Sequence, residues 1–203
     1  MKLALLGYGK MGKMVERLCF PHTIVEPMHA DVLIDFSHPE AVKKHVQMAA
    51  AMHQNIVIGT TGWYGDLEMI KSIAEVGEIG IIYGPNFSIG VHIMTELVQH
   101  ANRLMSHFPE YDVIGIESHH KAKVDAPSGT ALKLGVPFVS VRVGYDPGTH
   151  KVIYDSEVDT IEISHKARSR EGFARGAIRA AEWIHGKKGF FSFESCLEDL
   201  WKE

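Results

Sequence analysis

The residues from Glu117 to Ala131 read Glu-Ser-His-His-Lys-Ala-Lys-Val-Asp-Ala-Pro-Ser-Gly-Thr-Ala. They place two imidazoles and two ammonium groups just ahead of a helix entry. An imidazole titrates close to neutral pH, so His119 is suited to deliver a proton. Lys123 adds a fixed positive charge. Ser128 is a residue type that caps a helix. The amides that follow it, from Gly129 and Thr130, form with the Thr130 hydroxyl an anion site suited to a carboxylate. Together these are parts for binding a dianionic substrate while protonating it. Metal chemistry is not expected. Neighbouring side chains on a strand point to opposite faces, so His119 and His120 cannot easily hold one ion. No second cluster with zinc spacing appears.

A second constellation lies at the start of the chain. Gly7-Tyr8-Gly9-Lys10-Met11-Gly12 is a G-x-G-x-x-G between a strand pattern and a helix pattern. In that context the first glycine permits a tight turn, the second admits a pyrophosphate to the backbone, and the third allows helix and strand to pack closely. The helix N-terminus adds unpaired N–H groups. The alternative is a glycine-rich turn with no ligand. Glu26 follows Gly7 by 19 positions, about where an acidic residue meets an adenosine ribose hydroxyl. Its neighbours Pro27, Met28 and His29 include no Lys or Arg to meet a 2′-phosphate. NADH is therefore favoured over NADPH, with a solvated surface glutamate as the alternative. Gly59-Thr60-Thr61 and Gly84-Pro85-Asn86-Phe87 each follow a strand pattern, where ligands of open α/β sheets sit.

The elements that must carry these groups follow from periodicity. Strands are expected at Lys2 to Leu6, Thr23 to Glu26, Asp31 to Phe36, Asn55 to Thr60 and Gly80 to Tyr83. Helices are expected at Lys10 to Leu18, Pro39 to His53 and Asp66 to Val76. Near-continuous apolar strands alternating with helices imply a parallel sheet covered on both faces. Beyond Asn86 the rhythm changes. A long helix is expected from Ile89 to His107, with Ile93, Leu97, Val98, Ala101, Leu104 and Met105 on its core face. Strand patterns follow at Asp112 to Glu117, Phe138 to Val143, Lys151 to Tyr154 and Thr160 to Ser164, then a helix from Arg170 to His185. The fold class is α/β: a Rossmann-type doubly wound parallel sheet with a second, α+β domain built on a mixed sheet. Short hinges are expected near Phe87 and Arg170.

The 203 residues, 45% hydrophobic and 23% charged, are enough to bury a core without a disulfide or metal staple. A net charge of −4 without runs of one sign gives no pointer to nucleic acid or an anionic membrane. Cys19 and Cys196 stand far apart, which fits a reducing compartment. The apolar start is cut short by Gly7, too early for a signal peptide, and no stretch approaches the ~20 residues of a membrane span. A cytoplasmic protein is expected.

The segment from Glu117 to Ala131 resembles the signature E-x-H-H-x-x-K-x-D-A-P-S-G-T-A of dihydrodipicolinate reductases. The likeness extends through the glycine turn, Asp35-Phe36-Ser37-His38-Pro39, Gly59-Thr60-Thr61-Gly62, Pro85 to Val91, Ser164 to Arg170, and Phe173 to Ala177. It implies a nicotinamide-dependent reduction of the cyclic imine made by dihydrodipicolinate synthase, yielding tetrahydrodipicolinate. By this resemblance His119 is the proton donor and Lys123 the second catalytic position. His120, Ser128, Gly129 and Thr130 meet the substrate, and Arg170 is a weaker candidate beside them. Gly7 to Gly12, Gly59 to Thr61 and Gly84 to Phe87 meet the cofactor. Residues 1–87 plus 171–203 would form the dinucleotide-binding domain, and 88–170 a domain for substrate and oligomerisation, often a homotetramer in this family. The chain departs from the pattern in a short link before the second strand and in Leu134-Gly135-Val136-Pro137, which replaces a longer helix and loop. Other readings are an oxidoreductase of another small dicarboxylate, or a non-catalytic dinucleotide binder.

Overall fold

Lys2–Leu6 forms strand β1, in which Ala4 and Leu6 pack on one side of a sheet and Leu3 is buried on the other, the period of two that a strand covered on both faces requires. Strands β2 (Thr23–Ile24), β3 (Val32–Asp35), β4 (Asn55–Ile58) and β5 (Gly80–Tyr83) join it, together with a late strand, β10 (Gly189–Ser192). All pair in parallel, in the order β10-β5-β4-β3-β1-β2. The chain therefore reverses its direction of travel across the sheet between β1 and β3, the point at which open α/β sheets bind ligands.

The computed structural model describes residues 1–202. Two compact units divide the chain, one made of Met1–Ser88 with the segment from Glu171 onward, the other of Ile89–Arg170. In the first, helices α2 (Pro39–Ala51) and α3 (Leu67–Gly77) cover one sheet face, where Val42, Val46, Ala49, Ile70 and Ala74 meet Leu33, Ile56, Ile58 and Ile81. Helices α1 (Lys10–Leu18) and α6 (Glu171–Ile184) pack together, and α6 lies on β3, β4 and β5. Its buried stripe of Ala174, Gly176, Ala177, Ala180 and Ala181 allows backbone-to-backbone approach, and a methyl group on Gly176 would collide with the Phe87 carbonyl.

In the second unit, strands β6 (Asp112–His119), β7 (Phe138–Arg142), β8 (Thr149–Asp155) and β9 (Thr160–Lys166) form a sheet in the order β7-β6-β8-β9. β6 and β7 run parallel across the short helix α5 (Gly129–Lys133), and the other pairs are antiparallel, so the sheet is mixed. Helix α4 (Ile89–Met105) supplies Met94 and Val98 to a core with Leu134, Val152 and Tyr154. The Tyr154 hydroxyl donates to Asn102 Oδ1 at 2.6 Å. The other sheet face leaves Ile114, Ile116, Val139 and Val141 exposed. No helix is long and apolar enough to cross a membrane among the described residues.

Several expectations need correction. The second strand stops at Ile24, not Glu26. Val25 N still donates to Leu3 O, but Pro27 then opens a 3-10 turn whose cap is Glu26; a proline lacks the N–H a ladder needs and fixes a helical φ. On α4 the buried residues are His92, Met94 and Val98, with Ala101 and Met105 partly buried against the core, whereas Ile93, Leu97 and Leu104 are exposed. The helix carries two apolar stripes, and the sheet takes only one. β10 and a final helix, α7 (Phe193–Trp201), were not anticipated.

Candidate functional site

Strand register assembles a polar patch on the inner face of the mixed sheet. Ser140, Glu117, His150 and His165 stand opposite one another across β7, β6, β8 and β9, and Arg142 stands opposite His119 one pleat further on. One pleat back, the matching row is Phe138, Gly115, Val152 and Ile163, which belongs to the apolar core. A side chain on Gly115 would collide with the Phe138 ring. The same face thus changes from hydrocarbon to ionisable groups within two residues of β6.

Glu117 is the centre of that patch and is fully buried. Its Oε1 accepts from Ser128 N at 3.0 Å, Ser140 Oγ at 2.7 Å and Arg142 Nη2 at 2.8 Å. Its Oε2 lies 3.5 Å from both His119 Nδ1 and His150 Nε2. Ser128 Oγ lies 3.0 Å from His150 Nε2 and accepts from Ala131 N at 3.2 Å, so it caps α5 as its residue type foretold. The imidazoles of His119 and His150 meet edge to face, 5.1 Å apart.

Charge states follow from this wiring. Burial alone would push the Glu117 carboxyl up, but hydrogen bonds from Ser128, Arg142 and Ser140 outweigh it and bring it down to about 2. His150 goes down to about 4, through burial first and then the neighbouring His119. Burial also lowers His119. The Glu117 and Asp146 carboxylates work against that fall, and Lys123 and Arg142 reinforce it. Lys123 Nζ donates to Asp125 Oδ1 at 2.7 Å. His120 is half-buried, Gly129 exposed, Thr130 half-buried, and Arg170 exposed.

In the first unit the glycine turn has the shape its sequence promises. Gly7 adopts φ +93°, and a side chain there would strike the Phe36 carbonyl on the loop after β3. One on Gly12 would strike the Gly7 carbonyl, whereas the space beside Gly9, which caps α1, is open. That open space above unpaired helix amides fits a pyrophosphate. Tyr8 and Lys10 are exposed and Met11 half-buried; the Tyr8 hydroxyl bonds to Glu16. Glu26 is exposed beyond β2.

Of the other cofactor candidates, Thr60 is buried and its hydroxyl is engaged within the unit. It lies 2.8 Å from Asp35 Oδ1 and accepts from Ser37 N at 2.8 Å. Asp35, also buried, binds Ser37 Oγ at 2.6 Å and His45 Nδ1 at 2.8 Å, and so fastens the loops after β3 and β4 to α2. Thr61 is exposed. A side chain on Gly59 would collide with the Phe36 ring. Gly84 and Phe87 are buried, Phe87 against Phe193 at 4.6 Å, whereas Pro85 is exposed and Asn86 Oδ1 accepts from Ser88 N.

The fold brings His119 and Ser128 together in one unit, as their closeness in sequence suggested. Glu117, Arg142, Ser140 and His150 were not singled out, although Glu117 opens the quoted motif. Glu117, His119 and His150 offer ligand atoms within 4.8 Å of one another, a grouping that spacing along the chain could not reveal. Arg142 binding Glu117, and the positive charge that Lys123 and Arg142 impose on His119, oppose a divalent cation there.

Comparison with known proteins is consistent along the chain. Residues 20–87 match the family model for the dihydrodipicolinate reductase N-terminus, and residues 90–197 that for its C-terminus. A 4-hydroxy-tetrahydrodipicolinate reductase from Christiangramia forsetii is 36% identical over 238 aligned positions that span all of both chains. One from Ralstonia nicotianae is 37% identical over 199 positions, covering 83% of this chain and 74% of its own. The dipicolinate-bound dihydrodipicolinate reductase of Paenisporosarcina sp. TG-14 superposes with a TM-score of 0.78 at 22% identity, over 96% of this chain and 98% of that one. It shares the fold.

Proposed function

The chain belongs to the dihydrodipicolinate reductase family and is an NAD(P)H-dependent 4-hydroxy-tetrahydrodipicolinate reductase, and we propose that its first unit holds the dinucleotide while its second unit binds and protonates the substrate. The observation that carries this division is the patch of buried Glu117, His119 and His150, joined by half-buried Arg142, beside the capped turn at Ser128. Such ionisable groups are expensive to bury for packing alone, and perturbed groups of this kind cluster at functional sites.

The turn from Gly7 to Gly12 and the first amides of α1 receive the pyrophosphate, with Tyr8, Lys10 and Met11 flanking it. Glu26 accepts from ribose hydroxyls, which favours NADH. Backbone groups of Gly59 to Thr61 and Gly84 to Phe87, at the carboxyl ends of β4 and β5, line the path of the nicotinamide. When bound, the reduced nicotinamide supplies the hydride; the protein supplies orientation and charge.

In the second unit, Gly129 N, Thr130 N and the Thr130 hydroxyl take one substrate carboxylate, while Ser128 holds the turn in shape. Lys123 exchanges Asp125 for the substrate and stabilises developing negative charge. His120 and Arg170 add contacts. His119 donates the proton that completes the reduction, a role worth roughly 10²–10⁴-fold. The exposed face of Ile114, Ile116, Val139 and Val141 supports a homo-oligomer built on the mixed sheet, a tetramer in keeping with the resemblance.

The direct test is consumption of reduced cofactor by the purified chain, with substrate generated in place by dihydrodipicolinate synthase. Turnover is expected with both dinucleotides and a lower KM for NADH. A lower KM for NADPH overturns the role of Glu26, and absence of turnover with either overturns the whole reading.

A further inference from the structure

We propose that Glu117 is the positioning residue for His119: one carboxylate oxygen orients the proton donor while the other fixes the turn that receives the substrate carboxylate. The inference rests on the reading of His119 as the acid, and adds a device that the motif does not reveal.

Three features carry it. The first is commitment. Oε1 of Glu117 accepts from the Ser128 amide, the Ser140 hydroxyl and the Arg142 guanidinium. Arg142 Nη2 also donates to Asp125 O at 2.5 Å, so the loop between β6 and α5 is tied to the same anion. The carboxylate cannot turn without releasing those donors.

The second is the other oxygen. Oε2 is buried and has no hydrogen-bond partner among the described residues, yet both imidazoles stand 3.5 Å away. A buried acceptor left unpaired costs about 1–3 kcal/mol, so a donor is drawn to it. We assign the Ser128 hydroxyl proton to His150 Nε2, so that Ser128 Oγ accepts from Ala131 N and donates to the imidazole. His150 Nε2 then carries no proton, and His119 Nδ1–H is the donor left for Glu117.

The third is the far edge of the His119 ring. A side chain at Gly148 would crowd His119 Nε2, and Gly148 adopts φ +140°. Glycine is thus the residue type that leaves most room beside the ring edge from which the proton would leave. The arrangement follows the logic of a carboxylate behind a catalytic histidine, in which the acid partner fixes the tautomer and stabilises the imidazolium.

Before substrate arrives, His119 is neutral with its proton on Nδ1. The two negative charges of the substrate then favour a second proton on Nε2, and that proton is the one transferred. The groups facing His119 are Glu117 on β6, Lys123 from the loop between β6 and α5, Arg142 from β7, Asp146 from the loop before β8, and His150 from β8, with His165 from β9 acting on His150.

Glu117→Gln keeps the shape and removes the charge. In the full-length enzyme we expect kcat to fall at least 10-fold, KM for the reduced dinucleotide to stay the same, and the alkaline limb of the kcat profile to move down by at least about one pH unit. A residue that only packs would lower kcat without moving that limb. The reference is His119→Gln. If that variant keeps full turnover, the acid assignment itself fails. If it is crippled while Glu117→Gln keeps both kcat and limb, the positioning role alone fails. Should Glu117→Gln not fold, imidazole ¹⁵N shifts of the wild-type enzyme still decide: a proton on Nδ1 of neutral His119 supports the proposal, and one on Nε2 overturns it.

Discussion

The two units present opposite kinds of surface. At the carboxyl ends of the parallel sheet the contact surface is backbone: glycines without side chains, helix amides, and a buried Asp35 whose bonds to Ser37, Thr60 and His45 all point inward. On the mixed sheet the surface is side chains, and their protonation states are set by burial and by one another. A backbone cradle is indifferent to pH but intolerant of added atoms. A cluster of titrating groups has room for small changes of shape but responds to every charge. Binding a common cofactor and moving a proton ask for these two properties separately, and on the proposed function they fall to separate units.

The largest effect expected from that contrast is on turnover. Lys123→Ala removes a charge without touching the glycine turn. It should slow kcat by about 10²-fold while NADH affinity, followed by fluorescence, stays as in the wild type. A matching loss of NADH affinity would show that the division of labour is not real.

Acid should strain one unit more than the other. His150 ionises near 6.5 when unfolded and at about 4 when folded, so the unfolded chain takes up the proton first. Stability is complete above the unfolded value and falls as pH drops toward 4, by roughly 3 kcal/mol for a shift of that size. Glu117, down to about 2 from 4.5, extends the loss below pH 4.5 by the same sign. Hydrogen exchange corrected for intrinsic rates should therefore show β6 and β8 losing protection between pH 6.5 and 4 faster than β1 and β3. Equal loss in both sheets would erase the contrast.

The smallest of the three effects is steric. Gly12→Ala sets a methyl group against the Gly7 carbonyl, and overpacking of this kind costs about 1–3 kcal/mol. Calorimetry should show dinucleotide affinity reduced about tenfold or more, and steady-state assays an unchanged KM for the substrate.

Much of the fold was legible because the parallel strands are apolar runs bounded by glycine or polar residues, and each covering helix carries its own stripe. β10 escaped because Gly189-Phe190-Phe191-Ser192 is a half-buried edge strand, too short to show alternation. α7 had a readable start in Ser192, whose hydroxyl accepts from Ser195 N at 3.2 Å, but its apolar positions Phe193, Cys196 and Leu197 span barely one turn. α4 was misread because periodicity finds an apolar stripe without saying which of two the core will take. In the candidate site, His119, Lys123 and Ser128 could be singled out because they lie within one short segment. His150 was not, since it reaches Glu117 only through the register of β6 on β8, and register is set by the whole sheet. Glu117 was visible as a letter of the motif, but a carboxylate on a strand looks solvated until its three donors are known.

Residues 89–170 interrupt the first unit, and what that unit still lacks at Ser88 is large. The helix that covers β3, β4 and β5, and the strand that pairs with β5, both come after Glu171. On the ribosome, the apolar face bearing Val32, Ile34, Val57 and Ile82 must wait uncovered while some eighty further residues are synthesised. The nascent chain is thus most prone to aggregate in mid-translation, and the step that ends this exposure is the docking of its alanine-rich helix.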